Sequence, residues 1–104
     1  MLGDAYTLNY TPLFDEELAE AVRYIACELR NPQAAEKLVV DVERAIVDRQ
    51  FAPEAFEPVP TTKNREYPYY RIPVGNFVVL YCVIGDVIDI RRFVYEKRNW
   101  QSNI

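Results

Sequence analysis

The chain has 104 residues, half of them apolar and 27% charged, with a net charge of −4. That balance suits one globular domain over residues 1–104, with enough buried surface for a core that needs no staples. With no histidine and only Cys27 and Cys82, neither a zinc site nor a disulfide framework is signalled, and both cysteines are expected as buried, reduced thiols. No metal or cofactor is called for.

The first ten residues, MLGDAYTLNY, lack the basic and apolar regions of a secretion signal. No apolar run approaches the roughly 18 residues of a membrane span, so a cytoplasmic protein without membrane contact is expected. Residues 5–10 alternate weakly and read as a first strand. Thr11-Pro12 then offers an N-cap followed by proline at the first helical position, and Asp15, Glu16 and Glu17 place negative charge where the helix dipole favours it. Phe14, Leu18, Ala21, Val22, Ile25 and Leu29 form one apolar stripe at helical spacing.

Asn31-Pro32 repeats the device and predicts a second helix in a tight hairpin with the first. Ala35, Leu38, Val39, Val42 and Ile46 share one face of it, and it should end near residues 51–53. Each helix needs a surface to cover. Four prolines between residues 53 and 68 then read as an ordered surface loop.

Residues 69–74, 77–84 and 87–95 are β-branched and aromatic runs separated by Gly75-Asn76 and Gly85-Asp86, the punctuation of hairpin turns needing positive φ. They predict an antiparallel meander. The middle run is apolar throughout, as a central strand covered on both faces should be, and Pro73 requires the first run to be an edge strand or to be bulged there. The order βααβββ is an α+β arrangement, with the helical hairpin packed on one face of the sheet.

Charge is divided along the chain: residues 1–60 carry −7 and residues 61–104 carry +3. Basic groups gathered on one sheet can present a local positive field despite the acidic total. Arg91 and Arg92, as neighbours on a strand, are expected on opposite faces. Tyr67, Tyr69, Tyr70 and Tyr81 read first as packing residues, since aromatics favour strands.

The element order, NPQAAEKLVVDVERAI at 31–46 and YYRIPVGNFVVLYCVIGDVIDIRRFVYEKRNW at 69–100 together resemble the RelE/ParE superfamily, the toxin halves of bacterial and archaeal type II toxin–antitoxin modules. Arg92 and Arg98 match the arginines of the family's ending, Tyr95 stands at its usual histidine position and Asn99 replaces its aspartate. The resemblance implies an antitoxin partner and one of two activities. One is metal-independent endoribonuclease cleavage of mRNA on the ribosome; the other is inhibition of DNA gyrase without catalysis, or antitoxin binding alone in a homologue whose activity has decayed.

Cleavage by a 2′-OH needs a base, a cation at the phosphate and an acid for the leaving oxygen. The candidates are Glu96 as base, Tyr95 as base or acid if nearby cations lower its reference pKa of about 10, and Arg71 and Arg92 at the phosphate. Lys63, Arg65, Lys97 and Arg98 are the candidate nucleic-acid contacts. Val78 stands where nucleases of this kind carry a phosphate-stabilising arginine. The catalytic reading therefore requires Arg71, Arg92 and Arg98 to converge beside Tyr95.

Overall fold

A computed structural model describes residues 5–60 and 66–101. Strand β1 (Thr7–Tyr10) leads into helix α1 (Pro12–Arg23), which runs on through a π-helical turn, Tyr24–Glu28. Helix α2 (Pro32–Asp48) and strands β2 (Tyr70–Val74), β3 (Phe77–Ile84) and β4 (Val87–Tyr95) follow. None of the described helices is long and apolar enough to cross a membrane.

Both expected caps form. The Thr11 hydroxyl oxygen accepts from the Phe14 N–H at 3.3 Å and donates to the Ile90 carbonyl at 2.8 Å, so one side chain starts α1 and ties it to β4. The Asn31 side chain accepts from the Ala34 N–H at 3.1 Å, while its own N–H donates back to Ile25 O at 3.0 Å. Arg30, at φ +52°, makes the left-handed step between the helices. Asn31 therefore closes one helix and opens the next.

The π turn alters the predicted stripe. Phe14 is buried, and Leu18, Ala21, Val22 and Ile25 pack against the core, but Leu29 is 55% exposed. The wide turn, in which the Leu29 N–H donates to Tyr24 O, carries Leu29 off the apolar face. Cys27 is likewise exposed rather than buried, because position 27 lies outside the stripe; Cys82 is a buried free thiol as expected. Helix α2 buries Ala35, Leu38, Val42 and Ile46, and ends at Asp48 rather than at 51–53. Tight turns continue the chain from there to Ala52.

The sheet order is β1-β4-β3-β2. The meander is antiparallel, whereas β1 joins the far side of β4 in parallel, pairing Thr7–Tyr10 with Val87–Ile90. Gly75 and Gly85 take φ +58° and +62° in the two hairpin turns, where a side chain would be strained. Residues 78–83 of β3 are buried on both faces. Toward the helices, Val79, Tyr81 and Val83 meet Phe14, Leu38, Val42 and Ile46. On the opposite face Val78, Leu80 and Cys82 meet Val59, Tyr69 and Trp100. The proline-rich segment joins this second layer through the Val59 N–H, which donates to Tyr69 O at 2.7 Å.

One irregularity matters for the arginines. Leu80 pairs with Arg92 and Tyr81 with Ile90, so Arg91 is an extra residue bulged out of β4. The bulge suspends the alternation that predicted opposite faces. The Arg91 guanidinium lies 6.0 Å from the Tyr69 ring, and Arg92 pairs in register with Leu80, whose face Tyr69 covers.

Candidate functional site

Tyr95 ends β4, 40% exposed, on the helix side of the sheet. Its ring meets Phe77 edge-on at 5.7 Å, and Phe77 stacks on Phe93 at 4.8 Å. The three aromatics form one wall of an open groove of about 700 Å³, whose other wall is the α1 face that runs from Glu17 through Tyr24 to Leu29. Arg98, in the turn after β4, stands on the rim, its N–H donating to Tyr95 O at 3.0 Å.

Arg71 and Glu96 are elsewhere. Arg71 pairs across the sheet with Leu80, which faces away from the helices, and its guanidinium donates to the Glu96 carboxylate at 2.9 Å and lies 6.0 Å from the Trp100 ring. Arg92 turns toward α1: Nε and Nη2 grip both oxygens of Glu17 at 2.7–3.1 Å. The Glu17 bond raises the Arg92 pKa above the ordinary arginine value, against the effect of burial. Arg91 donates to Asp89 at 2.6 Å, which raises its pKa in the same way. Asp89, which also accepts from Asn9 at 2.6 Å, is held below the usual aspartate pKa, although burial alone would raise it.

The structure thus brings Tyr95 and Arg98 to one groove on the helix side of the sheet, whereas Arg71 and Arg92 flank Leu80 in the strand register, each engaged by its own carboxylate. Arg71 and Arg92 are each already neutralised by a carboxylate, as is Arg91. Lys97 is exposed in the turn beyond β4. Lys63 and Arg65 lie outside the described residues. Val78, fully buried in the second layer, offers no contact to a phosphate. Among the described residues no group of three His, Cys, Asp or Glu is placed to hold a metal.

Tyr69 and Tyr70 are buried, Tyr70 stacking on Tyr81 at 5.4 Å. The Tyr81 hydroxyl donates to Pro53 O and accepts from Arg49 Nη1, both at 2.8 Å. These contacts are architectural.

Sequence reasoning missed Glu17. Its carboxylate also accepts from the Phe93 N–H at 2.8 Å, filling a hydrogen-bonding position that β1 leaves open. The sequence signals only an acid in the first turn; the second role depends on where β1 stops. Tyr24 and Glu20 also escaped notice as groove residues, since nothing local announces a π turn.

A family model described as the ParE toxin of the type II toxin–antitoxin system, parDE, matches residues 8–100. A solved chain from the chromosomal ParDE TA system of P. aeruginosa aligns with a TM-score of 0.71 at 19% identity, covering 88% of this chain and 96% of its own length. No curated protein matches. The family match runs from within β1 through β4 to Trp100, and the solved chain shares the fold that those elements build. The chain therefore belongs to the ParE toxin family of type II toxin–antitoxin systems.

Proposed function

We propose that this protein is the growth-inhibiting toxin of its module, that it acts in the cytoplasm by binding DNA gyrase rather than by cutting RNA, and that a cognate antitoxin neutralises it. One observation carries the choice between the two activities. The groups that a metal-free cleavage would need are divided, Tyr95 and Arg98 at the groove and Arg71 and Arg92 flanking Leu80 in the strand register, and both of these arginines are held by carboxylates. Cleavage gains its rate from donors already aimed at one phosphate, and removing a single such donor costs roughly 10²- to 10³-fold. A surface that recognises a protein has no such requirement.

The nuclease reading keeps one supporting contact, the shared groove of Tyr95 and Arg98. Two assays on the same preparation separate the readings. The purified protein is expected to inhibit plasmid supercoiling by gyrase and to leave mRNA intact in primer extension from expressing cells. Codon-linked cuts with unaffected supercoiling would overturn the proposal.

A further inference from the structure

The sheet order leaves β1 and β2 as its two edges. Strand β2 is guarded: it carries Pro73 and the charged Arg71, and the Val59 N–H covers the Tyr69 carbonyl. Strand β1 reads Thr-Leu-Asn-Tyr, with no charge, proline or bulge. The Thr7 and Thr11 N–H groups donate to Asp86 O and Ile90 O, so in this parallel ladder Leu8 and Tyr10 turn their main-chain groups outward. Tyr6, the preceding outward position, is closed off. Its N–H donates to Gln50 O at 3.0 Å and its carbonyl accepts from the Gln50 side chain at 2.8 Å. Among the described residues nothing meets the N–H or the carbonyl of Leu8 or of Tyr10. The open edge therefore runs from Gln50 to the point at which the chain departs into α1.

We propose that β1 is the contact of a symmetric homodimer, in which a second copy of this chain lays its own β1 antiparallel along this edge, with Asn9 facing Asn9 on the two-fold axis. In that register Leu8 of each copy opposes Tyr10 of the other, and every open main-chain group on both copies finds a partner. Closed two-fold pairs are the commonest soluble oligomers, and a strand without charge sets no like charges opposite one another. The apolar surface suits the same symmetry. Tyr10 and Leu13, 40% and 47% exposed, flank one end of the edge. Burial, then the Glu43 and Asp15 carboxylates, raise the Tyr10 pKa, which places Glu43 beside Tyr10, while Gln50 bonds Tyr6 at the other end. Val47 shares that flank of α2 and Phe51 follows it, 49% and 60% exposed. The two-fold sets one end of each copy against the opposite end of the other, and so covers Tyr10 and Leu13 with Val47 and Phe51 of the second copy. A longer peptide gains nothing extra here, since Gln50 and α1 end the edge after the length of one β1.

Sedimentation of the full chain from micromolar to millimolar concentration tests the proposal. A monomer–dimer equilibrium is expected, and because each copy carries −4 it should tighten as salt screens the repulsion. Amide exchange should slow with concentration at Leu8 and Tyr10 and stay constant in β2. Leu8→Pro removes an outward N–H and no ladder bond; each dimer loses that bond on both sides of the axis, so association should weaken roughly 5- to 150-fold. If that variant does not fold, Leu13→Lys and Phe51→Glu, both at exposed positions, decide: each alone should weaken self-association, and a mixture of the two should restore it as a heterodimer. Leu29→Glu, in the groove beside α1, should leave the equilibrium unchanged. A monomer throughout overturns the proposal, as does a dimer that loosens with salt, that resists both charge variants, or that Leu29→Glu dissociates. No toxicity readout enters, so this result and the gyrase assays stand or fall separately.

Discussion

Replacing Glu17 by alanine tests the most economical contact in the molecule. The carboxylate accepts from the Phe93 main chain at 2.8 Å and holds the Arg92 guanidinium through three contacts of 2.7–3.1 Å. Its side chain is 20% exposed and that of Arg92 23%. Hydrogen bonds to charged groups contribute about 1.5–3 kcal/mol, and an uncompensated, largely buried guanidinium adds to the loss while residual solvent access offsets part of it. The expected cost of Glu17→Ala is about 2 kcal/mol, or roughly 8–16 °C in Tm for a domain of this size. Urea and thermal unfolding followed by circular dichroism measure it. Arg92→Ala should cost less, because the Phe93 cap survives, and the double variant should reveal a coupling of about 1 kcal/mol. A loss below about 0.5 kcal/mol for Glu17→Ala, the range of an ordinary surface substitution, would refute the assignment of Glu17 as the edge cap.

Three further outcomes are expected. Asp89 has a folded pKa below its unfolded value near 3.8, so its contribution is complete above that pH and is lost as pH falls through the folded value; Asp89→Asn should flatten the acid limb of a stability–pH profile. Tyr81→Phe leaves the Pro53 carbonyl and Arg49 without their shared partner and should cost about 1–3 kcal/mol in chemical unfolding. In a thiol-reagent titration Cys27 should react at once in the native protein, and Cys82 only after denaturant is added.

The parts of the fold legible in the sequence are those fixed by neighbours along the chain. Thr11-Pro12 and Asn31-Pro32 begin helices through contacts three residues away, and Gly75 and Gly85 make turns for reasons local to each glycine. The apolar run of β3 announced a strand buried on both sides. What escaped was set at a distance. Arg91 and Arg92 obey strand alternation until the bulge interrupts it, and the bulge is a property of the pairing with β3. Arg92 is visible as a motif arginine, yet its state is decided by Glu17, 75 residues earlier. Leu29 was misjudged because a helical wheel assumes 3.6 residues per turn and the π turn does not, and Cys27 because the general burial of cysteine was set above its place outside the apolar stripe.

The parallel pairing of β1 with β4 also orders events in time. The Asn9 side chain finds Asp89 80 positions later, so the first strand stays without its sheet partner until the last strand has been made. During synthesis the helical hairpin can form early from local contacts, but the sheet is completed only after β4 has been made. A chain built this way cannot show the joined β1–β4 surface until both of its ends are in place.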